Sequence, residues 1–272
     1  MVVEERKTRE KSKRGRSMLL AVDIGNTQTV LGLFDKDSLL YEWRLRTAVD
    51  ATEDEWGVFI YELFEMDRLG FNVVKDCIIS CVVPPVLHSM ERFCEKYLRV
   101  KPLIVGPGIK TGMPILYDNP KEVGADRIVN AVAAYEMTKD ATVVIDFGTA
   151  TTFDYISEKG EYLGGAICPG VMISCEALFQ KASKLPRPQI FVRPKSVIGK
   201  NTIDSMNAGI IFGYAGLVEG IVTRFEKEAG RPLKTIATGG LATIIAPVCP
   251  AIQTVDPHLT LKGLKILFER NQ

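Results

Sequence analysis

The chain has 272 residues with a formal net charge of +1, 46% apolar and 25% charged residues. That composition fits a globular protein with a sizeable core and length enough for two domains, and it supplies no overall field for nucleic acid or a membrane surface. Six cysteines without a C-x-x-C pair and only two histidines, His88 and His258, leave little from which to build a zinc site.

Charge is unevenly placed along the chain. Residues 1–17 carry seven Lys/Arg against three Glu, a net of +4, with almost no apolar side chains. Such a segment cannot bury a core and is expected to be a disordered basic extension. The N-terminus lacks the apolar region of a signal peptide, and no run reaches the ~18 uninterrupted apolar residues that would span a bilayer. A cytoplasmic protein with no membrane or nucleic-acid partner is the expectation.

From Met18 the pattern becomes regular. Leu19–Thr29 (LLAVDIGNTQT) and Thr142–Thr152 (TVVIDFGTATT) form a faint internal repeat. Each is an apolar strand ending in Asp-x-Gly, a hydroxyl-rich turn and a second strand, at Val30–Phe34 and Phe153–Ile156. A third strand is expected at Leu39–Leu45 and at Glu161–Cys168. In the first half, Thr52–Glu55 reads as a capping box opening a helix that reaches about Leu69. A strand at Cys77–Val83, a proline-initiated helix at Pro84–Leu98 and a strand at Pro102–Val105 follow. After a Gly/Pro-rich loop a helix starts near Ala125. In the second half, helices are expected at Gly170–Ala182, Ile203–Ala229 and His258–Arg270, with strands at Leu233–Ala237 and Ala251–Val255. Asp256-Pro257 supplies an N-cap and first-turn proline for the last helix. A three-strand meander followed by alternating helix and strand, twice over, predicts two α/β domains with mixed sheets covered by helices. The divisions read as 1–17, 18–124 and 125–272.

The Asp23-x-Gly25-Asn26-Thr27 turn exposes successive backbone N–H groups that can cradle phosphate oxygens. Gly25 permits close approach, Asn26 and Thr27 add donors, and Asp23 can hold a hydrated cation or orient water. A single copy would read better as an ordinary hairpin turn; two copies favour the phosphate reading. Gly239-Gly240, between a strand and a short helix, would let a planar base lie against backbone. Asp126, in Gly124-Ala125-Asp126-Arg127, sits at a helix N-terminus. It reads either as an N-cap or as a carboxylate held ionised by the helix dipole and ready to accept a proton. No Walker-type Gly-Lys-Ser/Thr sequence is present. Gly209, Gly213, Gly216 and Gly220 lie along one predicted helix at ~1 kcal/mol each against alanine, which predicts that another helix or backbone approaches them closely.

Two Asp-x-Gly hairpins and a late Gly-Gly resemble the phosphate-1, phosphate-2 and adenosine motifs of the actin-like ATPase superfamily. More narrowly, Asp23–Thr27, Gly124–Arg127, Asp146–Ala150, Gly164-Gly165, Pro169-Gly170, Leu185-Pro186 and Asn201-Thr202 resemble signature segments of type III pantothenate kinases, over about residues 18–270. The resemblance implies two ribonuclease-H-like domains with a nucleotide cleft between them and ATP-dependent phosphorylation of pantothenate, the first step toward coenzyme A. It implies ATP contacts from Asp23, Ile24, Gly25, Asn26, Thr27, Gln28, Thr29 and Val30, and from Thr149, Gly239 and Gly240. Pantothenate contacts carry over to Tyr117, Gly124, Ala125, Asp126, Arg127 and Thr202, with Asp126 as base. Asp146 carries over as ligand of a monovalent cation, K+ or NH4+, with Mg2+ on the nucleotide as an option. Family members are dimers, so a homodimer is implied as well. Without the resemblance, Tyr117 would read as loop packing and Thr202 as a helix cap. Arg127 could neutralise either the substrate carboxylate or developing phosphoryl charge. The alternatives are a kinase for another small molecule, or a nucleotide-binding regulator on the same fold.

Overall fold

Strand-forming apolar runs, each broken by an Asp-Gly or Asp-Lys turn, give the chain its first sheet. In the computed structural model, which describes residues 17–181 and 192–272, β1 (Met18–Ile24), β2 (Gln28–Asp35) and β3 (Ser38–Arg46) form an antiparallel meander. Lys36, at φ 52°, makes the tight turn between β2 and β3. β4 (Val74–Cys81) pairs parallel with β1, and β5 (Leu103–Ile104) parallel with β4, giving the order β3-β2-β1-β4-β5. The crossover contains α1 (Glu53–Met66), whose N-terminus is closed by the expected capping box: Glu55 N–H donates to Thr52 Oγ1 and Thr52 N–H to Glu55 Oε2. α2 (Pro84–Phe93) starts at proline as expected, but its last turn widens into a π-helical turn over Cys94–Leu98 that Arg99 ends in left-handed conformation. Trp56, Ile60 and Phe64 of α1 and Val86, Met90 and Phe93 of α2 pack on the sheet residues Leu20, Val22, Leu31 and Ile79.

A second sheet repeats the plan. β6 (Thr142–Phe147), β7 (Ala150–Ile156) and β8 (Tyr162–Pro169) form the antiparallel meander. β9 (Lys234–Gly239) pairs parallel with β6 and β10 (Thr254–Val255) parallel with β9. The order β10-β9-β6-β7-β8 is that of the first sheet read from the other edge. The helices of this half of the chain are α3 (Ala125–Thr138), α4 (Val171–Lys181), α5 (Thr202–Ala229), the short α6 (Ala242–Ile245) and α7 (Leu259–Arg270), of which α7 and the first turn of α3 belong to the first unit. α5 is long and apolar enough, by length and composition, to cross a membrane. Its buried residues Ile211, Ala215, Val218 and Val222, however, belong to the core built on Val143, Ile145, Phe153 and Ala237. That accounts for its apolar character as a core helix.

Two expectations shift. Helix α7 begins at Leu259, because Pro257 lies in the turn before it and Asp256 Oδ1 accepts from His258 N–H instead. The division of the chain also differs from the one expected at residue 124. The first compact unit takes the residues up to Gly112 together with Val123–Val129 and Thr260–Gln272; the second takes Met113–Glu122 and Asn130–Leu259. The physical reason is visible at two glycines. Leu261 of α7 packs onto Gly32 of β2, and Gly263 of α7 lies so close to Val129 that a Cβ there would stand 2.2 Å from the Val129 carbonyl oxygen. The last helix thus completes the first unit. The expected extension 1–17, apart from Ser17, and Leu185-Pro186 lie outside the described residues.

Gly263→Ala tests that contact. The new methyl meets backbone and not a movable side chain, so overpacking of ~1–3 kcal/mol should outweigh the ~1 kcal/mol gain in helix propensity. A lower midpoint in chemical or thermal denaturation is expected; an unchanged or raised midpoint would show that α7 can slide to make room.

Candidate active site

Asp23 is carried at the carboxyl end of β1, where the strand has an antiparallel partner on one side and parallel β4 on the other. The turn after it is closed by Gly25 N–H donating to Gln28 O at 3.0 Å. Asn26, Thr27 and Gln28 are exposed, as donors for phosphate would need to be. Ile24 and Thr29 are buried and Val30 is half-buried, so these three supply wall and backbone. Thr47, which sequence reasoning missed, clamps the turn. Its N–H donates to Thr27 O at 3.0 Å and its hydroxyl to Gly25 O at 2.7 Å, while Thr29 donates to Thr47 Oγ1 at 3.0 Å. Its only sequence signal was a hydroxyl residue just beyond a strand.

Asp126 belongs to the same unit. The structure corrects its reading as an N-cap, for it is the second residue of α3, in the first turn. Its Oδ1 accepts from Arg127 N–H at 2.8 Å and folds back over Gly124, where a Cβ would stand 2.5 Å from that oxygen. Gly124 is therefore required by the carboxylate. The helix terminus is not the only influence on the Asp126 carboxyl. Burial raises its pKa, and the Arg127 N–H and the Arg127 charge offset this only in part. Asp23 is raised to about 7, first by burial and then by the Asp126 charge, against the Ser80 hydroxyl and Arg44. Two carboxyl groups thus share one partly buried site, and the charge of Asp126 pushes Asp23 toward the protonated form. Arg127 itself is 8% exposed.

The second unit holds the other predicted residues. Asp146 ends β6 as Asp23 ends β1, and its Oδ2 accepts from Asn130 Nδ2 at 3.1 Å. The Gly148–Thr149 turn is exposed, with Gly148 N–H donating to Ala150 O at 3.1 Å. Gly170 crosses this turn so closely that a Cβ would fall 2.0 Å from Thr149 O. Gly239, at φ 88°, ends β9 where a Cβ would meet Asp146 Oδ1 at 2.5 Å, so its place in the motif is sterically fixed. Gly240 is exposed, with open space over its Cα. Tyr117 is half-exposed against Tyr162. Thr202 is not the cap of α5; Asn201 is, accepting from Asp204 N–H at 2.9 Å. Thr202 lines a cavity of about 810 Å³ together with Ser174, Lys200, Asn201, Ser205 and Tyr214, and no other sequence-predicted site residue lines it. Three glycines of α5 do not meet a neighbour: none of the described residues, the helix's own backbone aside, comes within 4 Å of a Cβ placed at Gly209, Gly213 or Gly216.

This arrangement, two mixed sheets of one topology each carrying an Asp near the carboxyl end of its central strand, is that of the actin-like ATPase fold. Solved structures of the same fold include a Campylobacter jejuni protein named as a Baf family transcriptional activator, with TM-score 0.57 and 20% identity over 93% of this chain and 98% of that one. Another is a Porphyromonas gingivalis protein named as an N-acetylglucosamine kinase, with TM-score 0.53 and 11% identity over 93% of this chain and 99% of that one. At these identities the likeness speaks for the fold alone.

Sequence relatives go further. The family model for type III pantothenate kinase matches residues 19–224. A type III pantothenate kinase of Syntrophobacter fumaroxidans is 67% identical over 94% of this chain and 99% of its own length. One of Syntrophus aciditrophicus is 58% identical over 93% of this chain and 100% of its own length. The chain belongs to the type III pantothenate kinase family, and its activity is the phosphorylation of pantothenate in coenzyme A synthesis.

The raised carboxyl of Asp23 makes a pH prediction. Its folded pKa, about 7, lies above the ordinary 3.8, so the native state holds a proton that the unfolded chain gives up. The stability it contributes is present below pH 3.8 and is lost as pH rises through about 7. Asp23→Asn should therefore melt near the wild type at pH 4 and increasingly above it toward pH 8, without nucleotide. A difference between the two proteins that stays constant over this range would mean that Asp23 is ionised throughout.

Proposed function

We propose that this chain phosphorylates pantothenate with Asp126 accepting the proton of the primary hydroxyl and the Asp23–Val30 loop holding the ATP phosphates. The observation that supports this most is the raised carboxyl of Asp126 beside Asp23 in the first unit. A base must have a proton affinity close to the working pH, and burial moves a carboxylate toward it. A phosphoryl transition state is loose, so most of the rate comes from positioning and from stabilising charge. The exposed hairpin turns, at Asn26–Gln28 and Gly148–Thr149, are suited to that task. Thr149, Gly239 and Gly240 take the rest of the nucleotide; Tyr117, Gly124, Ala125, Arg127 and Thr202 take pantothenate. We assign Arg127 to charge neutralisation, as the cation beside the Asp126 carboxyl.

Asp146 is our candidate ligand for a monovalent cation. Among the described residues there is no group of three or more His, Cys, Asp or Glu that would hold a transition metal. A single carboxylate near the end of β6 is instead hard oxygen-donor chemistry, suited to a weakly held ion. Such an ion would offset phosphate charge where no P-loop lysine is present; Mg2+ would accompany the nucleotide. Residues 18–272 are read as cytoplasmic.

The test is Asp126→Asn. The amide keeps the size and an oxygen for the Arg127 N–H but cannot accept the proton. A folded variant that binds ATP and loses kcat toward the lower end of ~10²–10⁴-fold is expected. Turnover within a few-fold of wild type would remove the base role. Running the same assay in potassium and in sodium buffer reads the cation, with equal wild-type rates excluding it.

We also propose a homodimer that uses the glycine-lined face of α5. Gly209, Gly213 and Gly216 are exposed, and among the described residues nothing approaches these three helix-weakening positions to explain them. Gly213→Leu should shift sedimentation equilibrium from dimer to monomer; an unaltered dimer would place the interface elsewhere.

A further inference from the structure

Tyr162, the first residue of β8, is 0% exposed and is held by its backbone, its ring and its hydroxyl. Its N–H donates to Pro114 O and its carbonyl accepts from Leu116 N–H, both at 2.8 Å. These two bonds make a one-residue parallel bridge between Ile115 and Tyr162, which fastens the stretch leading to Tyr117 onto the sheet. Its ring lies against Tyr117, with centroids 6.3 Å apart and planes tilted by 54°. Beneath the same ring runs Gly164, at φ 111°, where a Cβ would reach 3.4 Å from the Tyr117 ring carbons. The Tyr162 hydroxyl donates to Asp154 Oδ1 at 2.7 Å, and Asp154, on β7, is also 0% exposed. Thr152 Oγ1 donates to Asp154 Oδ2 at 3.4 Å.

A buried carboxyl group is an expensive way to fill a sheet interior. A Phe at 162 over a Val or Thr at 154 would pack the same volume without desolvating polar groups. What the pair adds is a short hydrogen bond from the tyrosine hydroxyl, which fixes the ring more firmly than packing alone. The ring so fixed is the one that touches Tyr117. No step of the phosphoryl transfer uses either residue directly.

We propose that Asp154 and Tyr162 are positioning residues for the acceptor subsite. The buried carboxyl group locks Tyr162, and Tyr162 sets the 114–117 backbone and the Tyr117 ring at the angle that receives pantothenate. This rests on the reading of Tyr117 as a pantothenate contact. It places part of the acceptor specificity in the interior of the sheet, two layers from the substrate.

Tyr162→Phe keeps the ring and both backbone bonds and removes only the hydroxyl. Expected is a rise of about tenfold in KM for pantothenate, in line with loss of a buried hydrogen bond, with kcat and KM for ATP within about twofold. Asp154→Asn, which still offers an acceptor oxygen, should show a smaller rise, and it serves if the Phe variant does not fold. The second readout is the 19F resonance of 3-fluorotyrosine at Tyr117, assigned by Tyr117→Phe, in protein without substrate. It should shift or broaden in Tyr162→Phe and Asp154→Asn. A resonance that stays in place overturns the proposal, as does a fall in melting temperature with both KM values and kcat unchanged. Tyr117→Ala separates the two readings: normal KM for pantothenate in that variant removes the Tyr117 contact itself, whether or not the resonance responds to Tyr162.

Discussion

The parallel ladder at the centre of each sheet is the constraint from which the rest follows. β1 pairs antiparallel with β2 and parallel with β4; β6 pairs antiparallel with β7 and parallel with β9. A parallel partner needs a crossover, so the chain must leave the sheet and return with a helix. The antiparallel partner needs only a tight turn. Where the two kinds of connection meet, at the carboxyl end of the central strand, backbone N–H groups of the turn are left pointing outward, and the last polar residue of the strand stands beside them. Asp23 and Asp146 occupy those two places. In open α/β sheets this end is where ligands bind.

Close approach is the second constraint, and glycine marks it. Gly124 yields the space taken by the Asp126 carboxylate, Gly170 the space under Thr149 O, and Gly239 the space beside Asp146 Oδ1. In each case a methyl would stand 2.0–2.5 Å from an oxygen, a separation that no rotamer change relieves when the oxygen is on backbone or on the functional carboxylate. These glycines differ in kind from those on α5. Gly209, Gly213 and Gly216 yield space that none of the described residues takes up, the helix's own backbone aside. The first group is explained by contacts within its own unit, and the second is not.

How much of this was legible depended on whether the signal was local. The hairpins, the capping box at Thr52–Glu55 and the helix of Ala125–Thr138 rest on periodicity and on side chains within four residues, and the sequence shows them directly. Asp146 and Gly239 were legible as motifs, but their contact is made across the β6–β9 ladder, between residues 93 positions apart, and no spacing rule reveals it. Thr47 was missed because its bonds run to backbone atoms of a turn 20 residues away. Membership of α7 in the first unit was missed for the same reason: Leu261 meets Gly32, and Gly263 meets Val129. The glycine run of α5 was read as buried in a neighbour, since four costly residues demand a contact; the residues say nothing about which chain provides it.

The electrostatic balance of the first unit was the least legible of all, and it has the largest chemical consequence. By position alone, Asp126 at a helix N-terminus should be stabilised as an anion. That argument counts the helix and leaves out solvent. Burial disfavours the charged form of Asp126 and of Asp23 alike, and the charge of Asp126 adds to the effect at Asp23. The favourable contributions from Arg127, Ser80 and Arg44 do not restore the ordinary values. A site of this kind is poised: it holds a proton weakly near neutral pH and has room for positive charge. A phosphoryl-transfer site needs both properties, because its base must take a proton while its phosphates are neutralised. Under the proposed function the proton falls to this pair of carboxyl groups, set by a strand end and a first helical turn, and the positive charge to a bound cation, without a histidine or a P-loop lysine.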